Sequence, residues 1–134
     1  MPSEILRACW LIGARPAFRS VTSATIRLNP IIAKKTPNAF IGTGLEERLR
    51  AAGHVALLIT GVITNNSVEA TARMAGNLGF ATYVVADATF TFGKTDWDGT
   101  QRTAEEVHAM SLANLHGEYC TVVSTADVLG EGRV

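Results

Sequence analysis

The sequence predicts an α/β fold built on a parallel sheet with helices packed on its faces. Three apolar runs, residues 55–60, 81–86 and 119–123, have the length of strands, and stretches with helical spacing separate them. Strand, helix, strand, helix, strand at these lengths implies crossover connections that lay helices against a parallel sheet. With 134 residues, 47% hydrophobic and 18% charged, the chain is long and apolar enough to build one core.

Residues 1–30 differ from the rest. They hold Arg7, Arg15, Arg19 and Arg27, several hydroxyl residues and one acid, Glu4. An organelle transit peptide has such a composition. We read the stretch instead as a divergent N-terminal segment ahead of a domain over residues 31–134. Within it, the apolar run Cys9–Ile12 is a strand or helix fragment that Gly13 to Pro16 would end. Ile31–Ala33 is a short strand candidate leading to Lys34 and Lys35. Thr43 to Arg50 reads as a helix, with Leu45 and Leu49 on one face and Gly53 as its stop. Val55–Thr60 is apolar almost throughout, as expected of a strand covered on both faces. A helix follows from Ser67, with Val68, Thr71, Ala72, Ala75 and Leu78 in one stripe and Gly79 at its end. Ala81–Ala86 is the next strand, closed by Asp87. A loop from Thr89 to Gly99 holds Phe90, Phe92 and Trp97, more aromatics than a solvated connector usually carries. It is expected to line a pocket or a subunit interface. Ala104–Leu115 is a third helix, Tyr119–Val123 a third strand and Thr125–Leu129 a short terminal helix.

Twelve basic residues balance twelve acidic ones, so nothing in the charge draws the chain to nucleic acid or an anionic membrane. No apolar run approaches the roughly 20 residues that cross a bilayer. Cys9 and Cys120 are far apart and fit no metal-ligand spacing. They read as reduced thiols of a cytoplasmic protein. No cluster of metal-ligating type is visible, and no cofactor is expected. Gly93-Lys94-Thr95 has the ending of a phosphate-binding loop, but Ala88 stands where its first glycine is required.

The chemistry concentrates in the turn from Gly61 to Ser67. Ligands of parallel sheets bind outside the carboxyl ends of the strands, and this turn lies at such an end. Asn66 suits the N-cap, Glu69 would complete a capping box, and Ser67 becomes the first helical residue. Backbone N–H groups at a helix start are unpaired and carry the positive end of the dipole. An oxyanion forming beside Ser67 would meet those donors.

The stretch GVITNNSVEATARMAGNLGFATYVVADA resembles the core signature of the isochorismatase-like cysteine hydrolases, which include nicotinamidases and carbamoylsarcosine amidohydrolases. KKTPNAFIGTGLEERLRAAG, upstream, resembles the lysine segment of that family. The similarity covers about residues 31–129. It implies a three-layer α/β/α sandwich, a small-molecule substrate, a homo-oligomer, and hydrolysis of a small amide or related C–N bond by an Asp, a Lys and a Cys. It also implies a cis peptide at Val62–Ile63, with the N–H groups of Ile63 and Ser67 as oxyanion donors.

Carried over residue by residue, the lysine falls on Lys34, with Lys35 as the alternative. The nucleophile falls on Ser67, where the family has cysteine. The Asp that ends the family's first strand has no counterpart, because no Asp precedes Asp87. The first strand itself is apparently missing. A thiol titrates at about 8.5 and a helix start brings it into the neutral range. A serine hydroxyl is far more basic and needs a positioned base. His54, His108 and His116 offer no obvious one, Asp87 reads as a turn cap, and Glu69 points around the helix away from Ser67. The competing expectation is therefore a catalytically silent or truncated member that binds or assembles.

Overall fold

The computed structural model describes residues 10–11 and 31–130. In chain order these form strand β1 (Trp10–Leu11), helix α1 (Leu45–Ala51) and strand β2 (Ala56–Val62). A π-helical turn over Thr64–Val68 leads into helix α2 (Glu69–Asn77) and strand β3 (Ala81–Phe90). The hairpin strands β4 (Lys94–Thr95) and β5 (Gln101–Arg102) follow, then helix α3 (Ala104–Leu115), strand β6 (Thr121–Val123) and helix α4 (Thr125–Leu129). The other residues before Ile31, including Cys9 and Ile12 of the first apolar run, lie outside the described residues.

The main sheet has the order β1-β2-β3-β6. β2, β3 and β6 run parallel, as the strand–helix alternation predicts. β1 lies antiparallel on the edge of β2, with Trp10 opposite Ile59 and Leu11 opposite Leu58. Ile31–Ala33 is not a strand. Ile31 lies almost fully in water, while Ile32 packs half-buried against the cluster around Leu45 and Leu49 from a segment without strand pairing.

The alternation of β2 places the core. Leu57 and Ile59 point to one side, as residues two apart on a strand must. Leu57 joins Leu45 and Leu49 of α1, Ala75 of α2, Phe80 and Ala39. Ile59 joins Val68, Ala72, Val84, Leu115 and Cys120. Side chains of α1, α2 and α3 thus gather over one face of the sheet. On the other side Ala56 and Leu58 are only half-buried, and Val55 is exposed outside the strand. The expected strand with both faces covered is instead a strand with one dry face. The apolar run misled because Ala56 and Leu58 need no full burial to be tolerated.

Small residues bring α2 onto this face. Ala72 and Ala75 are fully buried. At Gly76 an added Cβ would collide with the backbone carbonyl of Tyr119, at the mouth of β6. Glu69 ties α2 to α3: its carboxylate takes Arg73 at 2.7 Å and accepts from the Ser111 hydroxyl at 2.7 Å. α3 starts at a complete capping box, Thr103 accepting from the Glu106 N–H at 3.2 Å and Glu106 accepting from the Thr103 N–H at 2.8 Å.

β3 does not stop at Asp87. Ile59 pairs with Val84 and Gly61 with Thr89, so β3 spends five residues where β2 spends two. The surplus is a bulge. Thr89 closes it by donating to the carbonyls of Val85 at 3.1 Å and Ala86 at 3.3 Å. Asp87 projects from it and caps α4, accepting from the Thr125 N–H at 2.8 Å and hydroxyl at 2.9 Å. Those bonds hold its carboxyl below the ordinary range.

Gly76→Ala should cost about 1–3 kcal/mol, because the obstructing atom is backbone and cannot rotate away. Urea unfolding of the two proteins measures it. An unchanged midpoint would contradict the close approach of α2 to Tyr119.

Candidate active site

β2 delivers the chain to the carboxyl end of the sheet, and the turn there closes on itself. The Ser67 hydroxyl donates to the Val62 carbonyl at 2.8 Å and accepts from the Ile63 N–H at 3.2 Å. It therefore brackets the Val62–Ile63 peptide, which is cis as the resemblance implies. Ser67 itself is buried. The expected helix start is corrected here. To return Ser67 to Val62 the backbone winds at once into the wide turn beginning at Thr64, with the Val68 N–H reaching the Ile63 carbonyl at 3.3 Å. Asn66 lies inside this turn and Glu69 faces Arg73 and Ser111, so they form no capping box.

Two further bonds hold the turn from outside. Thr64, fully buried, meets Nδ1 of His108 at 2.8 Å. The Thr91 hydroxyl donates to Oδ1 of Asn65 at 2.5 Å. His108, which offers no obvious base in the sequence, thus anchors the turn. A signal for it existed, since positions 108, 111 and 115 share one side of a helix and Ser111 and Leu115 are buried there.

Val62, Ile63 and Ser67 are thus brought together. Lys34 is not joined to them. Its ammonium donates to the carbonyl of Pro37 in its own loop, and burial lowers its pKa from the ordinary lysine value. That loop is fixed to α2 by the Ala39 N–H, which donates to the Thr71 hydroxyl at 3.1 Å. Lys35 is exposed. His54 precedes β2 at its amino end, and His116 bonds the Val122 N–H at 3.0 Å, both away from the turn.

The Ser67 hydroxyl has used one donor and one acceptor on its own backbone, and the Ile63 N–H is turned to it rather than to open space. For chemistry, both bonds must be exchanged. The described cysteine does not replace the family's thiol. Cys120 is buried in the second core cluster, and burial pushes its pKa up to about 11. Phe90, Phe92 and Trp97 are all exposed.

Thr64→Val keeps the shape and removes the hydroxyl, leaving His108 Nδ1 without its partner. A loss of about 1–3 kcal/mol in denaturant unfolding is expected. Equal stability would mean that the pair contributes nothing. Cys120 should resist iodoacetamide at pH 8 in the folded protein, since its thiolate forms only near pH 11. Peptide-level mass spectrometry reads this, and rapid native labelling at Cys120 would contradict it.

Residues 21–127 match a sequence model of the isochorismatase domain. The uncharacterized isochorismatase family protein YrdC of Bacillus subtilis (strain 168) is 43% identical over 101 residues, 75% of this chain and 54% of the relative. Nicotinamidase 3 of Arabidopsis thaliana is 36% identical over 85 residues, 63% of this chain and 37% of the relative. A crystallised isochorismatase-family protein from Chromobacterium violaceum superposes with a TM-score of 0.76 at 62% identity, over 78% of this chain and 54% of that one. The chain spans about half the length of the Bacillus subtilis and Chromobacterium violaceum proteins.

Proposed function

This chain belongs to the isochorismatase family, and from that membership we propose that its domain, residues 31–134, serves the hydrolysis of a small amide or related C–N bond. The observation that carries the reading is the convergence of the Ser67 hydroxyl and the Ile63 N–H at the carboxyl end of β2. The likeness to a nicotinamidase supports an amide as substrate. In this reading Ser67 Oγ leaves the Val62 carbonyl and attacks the amide carbon. The N–H groups of Ile63 and Ser67 take the oxyanion. The Ser67 proton passes to the departing amine as the C–N bond breaks, and water then cleaves the acyl ester, freeing the acid and returning a proton to Ser67 Oγ. Lys34 supplies positive charge from the loop held on Thr71. The substrate is a small molecule rather than nucleic acid or membrane, the protein is cytoplasmic and homo-oligomeric, and it needs no cofactor.

A second reading has its own support. The Ser67 hydroxyl is satisfied by its own turn, and Lys34 by its own loop. A serine without a base attacks poorly. The turn is then retained as structure, and the chain is a silent subunit that binds or assembles.

Ammonia release from nicotinamide, compared among the wild type, Ser67→Ala and Ser67→Cys, separates the two. Ser67→Cys should exceed the wild type at least tenfold, because a thiol ionises far more readily at neutral pH. Background rates in all three would overturn the hydrolase reading.

A further inference from the structure

Hydrolysis at Ser67 would strip its turn of the bonds that the hydroxyl supplies. At rest that hydroxyl ties Val62 to Ile63 from within, donating at 2.8 Å and accepting at 3.2 Å. Once Oγ attacks a substrate both bonds are gone, and the Ile63 and Ser67 N–H groups must still aim at the oxyanion. Two backbone bonds remain on the Ile63 carbonyl, from the Asn66 N–H at 3.2 Å and the Val68 N–H at 3.3 Å. They lie inside the turn and move with it. Among the described residues, two side-chain bonds hold the turn from outside, one between Thr91 and Asn65 and one between Thr64 and His108.

The second of these lies closest to the donors. Thr64 directly follows Ile63 and is fully buried. Its hydroxyl meets Nδ1 of His108 at 2.8 Å and has no other partner among the described residues. A buried hydroxyl needs an acceptor for its proton, and a neutral imidazole with its hydrogen on Nε2 supplies one at Nδ1. The helix that carries His108 is fixed by contacts of its own. α3 starts at the capping box of Thr103 and Glu106, Ser111 donates to Glu69 at 2.7 Å, and Leu115 is buried in the core. Positions 108, 111 and 115 share one side of the helix, so the residues that anchor α3 also aim the imidazole.

We propose that His108 is a positioning residue for hydrolysis at Ser67: through Thr64 it keeps the Ile63 and Ser67 N–H groups in place while Oγ is engaged with substrate. The inference rests on the hydrolytic reading of the same turn. At rest the imidazole duplicates a hold that the Ser67 hydroxyl already provides. In the reacting state that duplicate is what remains, so its loss falls on turnover rather than on substrate binding.

Ser67→Cys gives a readout that needs no turnover. A thiolate cannot donate to the Val62 carbonyl, so it sets the turn in the state that the reaction demands and depends on the backbone N–H groups. Alkylation of the introduced thiol by iodoacetamide, followed at peptide level against pH, gives the midpoint at which the thiolate forms. Adding His108→Leu should raise that midpoint by about one pH unit, an about tenfold loss of thiolate at neutral pH. Thr64→Val severs the same bond from the other side. It should raise the midpoint equally, and it carries the test should His108→Leu not fold. The two together should do no more than either alone. His108→Asn, whose side-chain amide takes the place of Nδ1, should restore the midpoint. In nicotinamide hydrolysis by Ser67→Cys, His108→Leu should lower kcat at least about tenfold with KM little changed. Thr103→Ala, which loosens the start of α3 away from the turn, should move neither the midpoint nor kcat. An unmoved midpoint in folded His108→Leu overturns the role. An equal shift in Thr103→Ala overturns it too, because His108 then serves the fold alone. Additive shifts overturn the route through Thr64. A shifted midpoint in a protein that releases no ammonia sinks the hydrolytic reading and supports the hold on the turn.

Discussion

One hydroxyl fixes the place where strand becomes helix. Ser67 reaches back across its own turn to the carbonyl of Val62 and receives the N–H of Ile63. That return forces a wide first turn, and the wide turn decides how α2 leaves the sheet. Val68, Ala72 and Ala75 consequently face β2, where Ile59 and Leu57 wait for them. A direct α-helical start at Ser67 would rotate that stripe. The core therefore inherits its alignment from a side chain that a reading of function alone would assign to chemistry.

Most of the fold was legible because its signals were local. The stripe from Val68 to Ala75, the boxed start of α3 at Thr103 and the terminal helix after Ser124 each rest on residues within a few positions of one another. What escaped was set by distant contacts. The bulge of β3 answers to Gly61 on the neighbouring strand, and the early winding at Thr64 answers to Val62. The pairing of β1 on the edge of β2, and the half-burial of Leu58, depend on which elements lie nearby. Composition along the chain carries no trace of that.

The site was legible in part for the same reason. Val62, Ile63 and Ser67 sit within six residues, and the turn collects them. Lys34 and His108 come from elsewhere in the chain. The lysine was placed by family likeness, and its ammonium bonds in its own loop. The histidine lies 44 positions after Thr64 in the chain, and it holds that buried hydroxyl. Serine at this position does what cysteine does less well. An alcohol forms stronger hydrogen bonds than a thiol, and here it satisfies two backbone groups with its proton and one lone pair.

The bulge in β3 divides one strand into two mechanical parts. Up to Val84 the strand is registered on the core; from Thr89 it is registered on the turn. The intervening residues leave the β2 ladder and are held instead by Thr89 on Val85 and Ala86 and by Thr125 on Asp87. In hydrogen exchange such a strand behaves as two cooperative units rather than one. The far unit is joined to the loop that carries Ser67 by the Thr91 hydroxyl on Asn65.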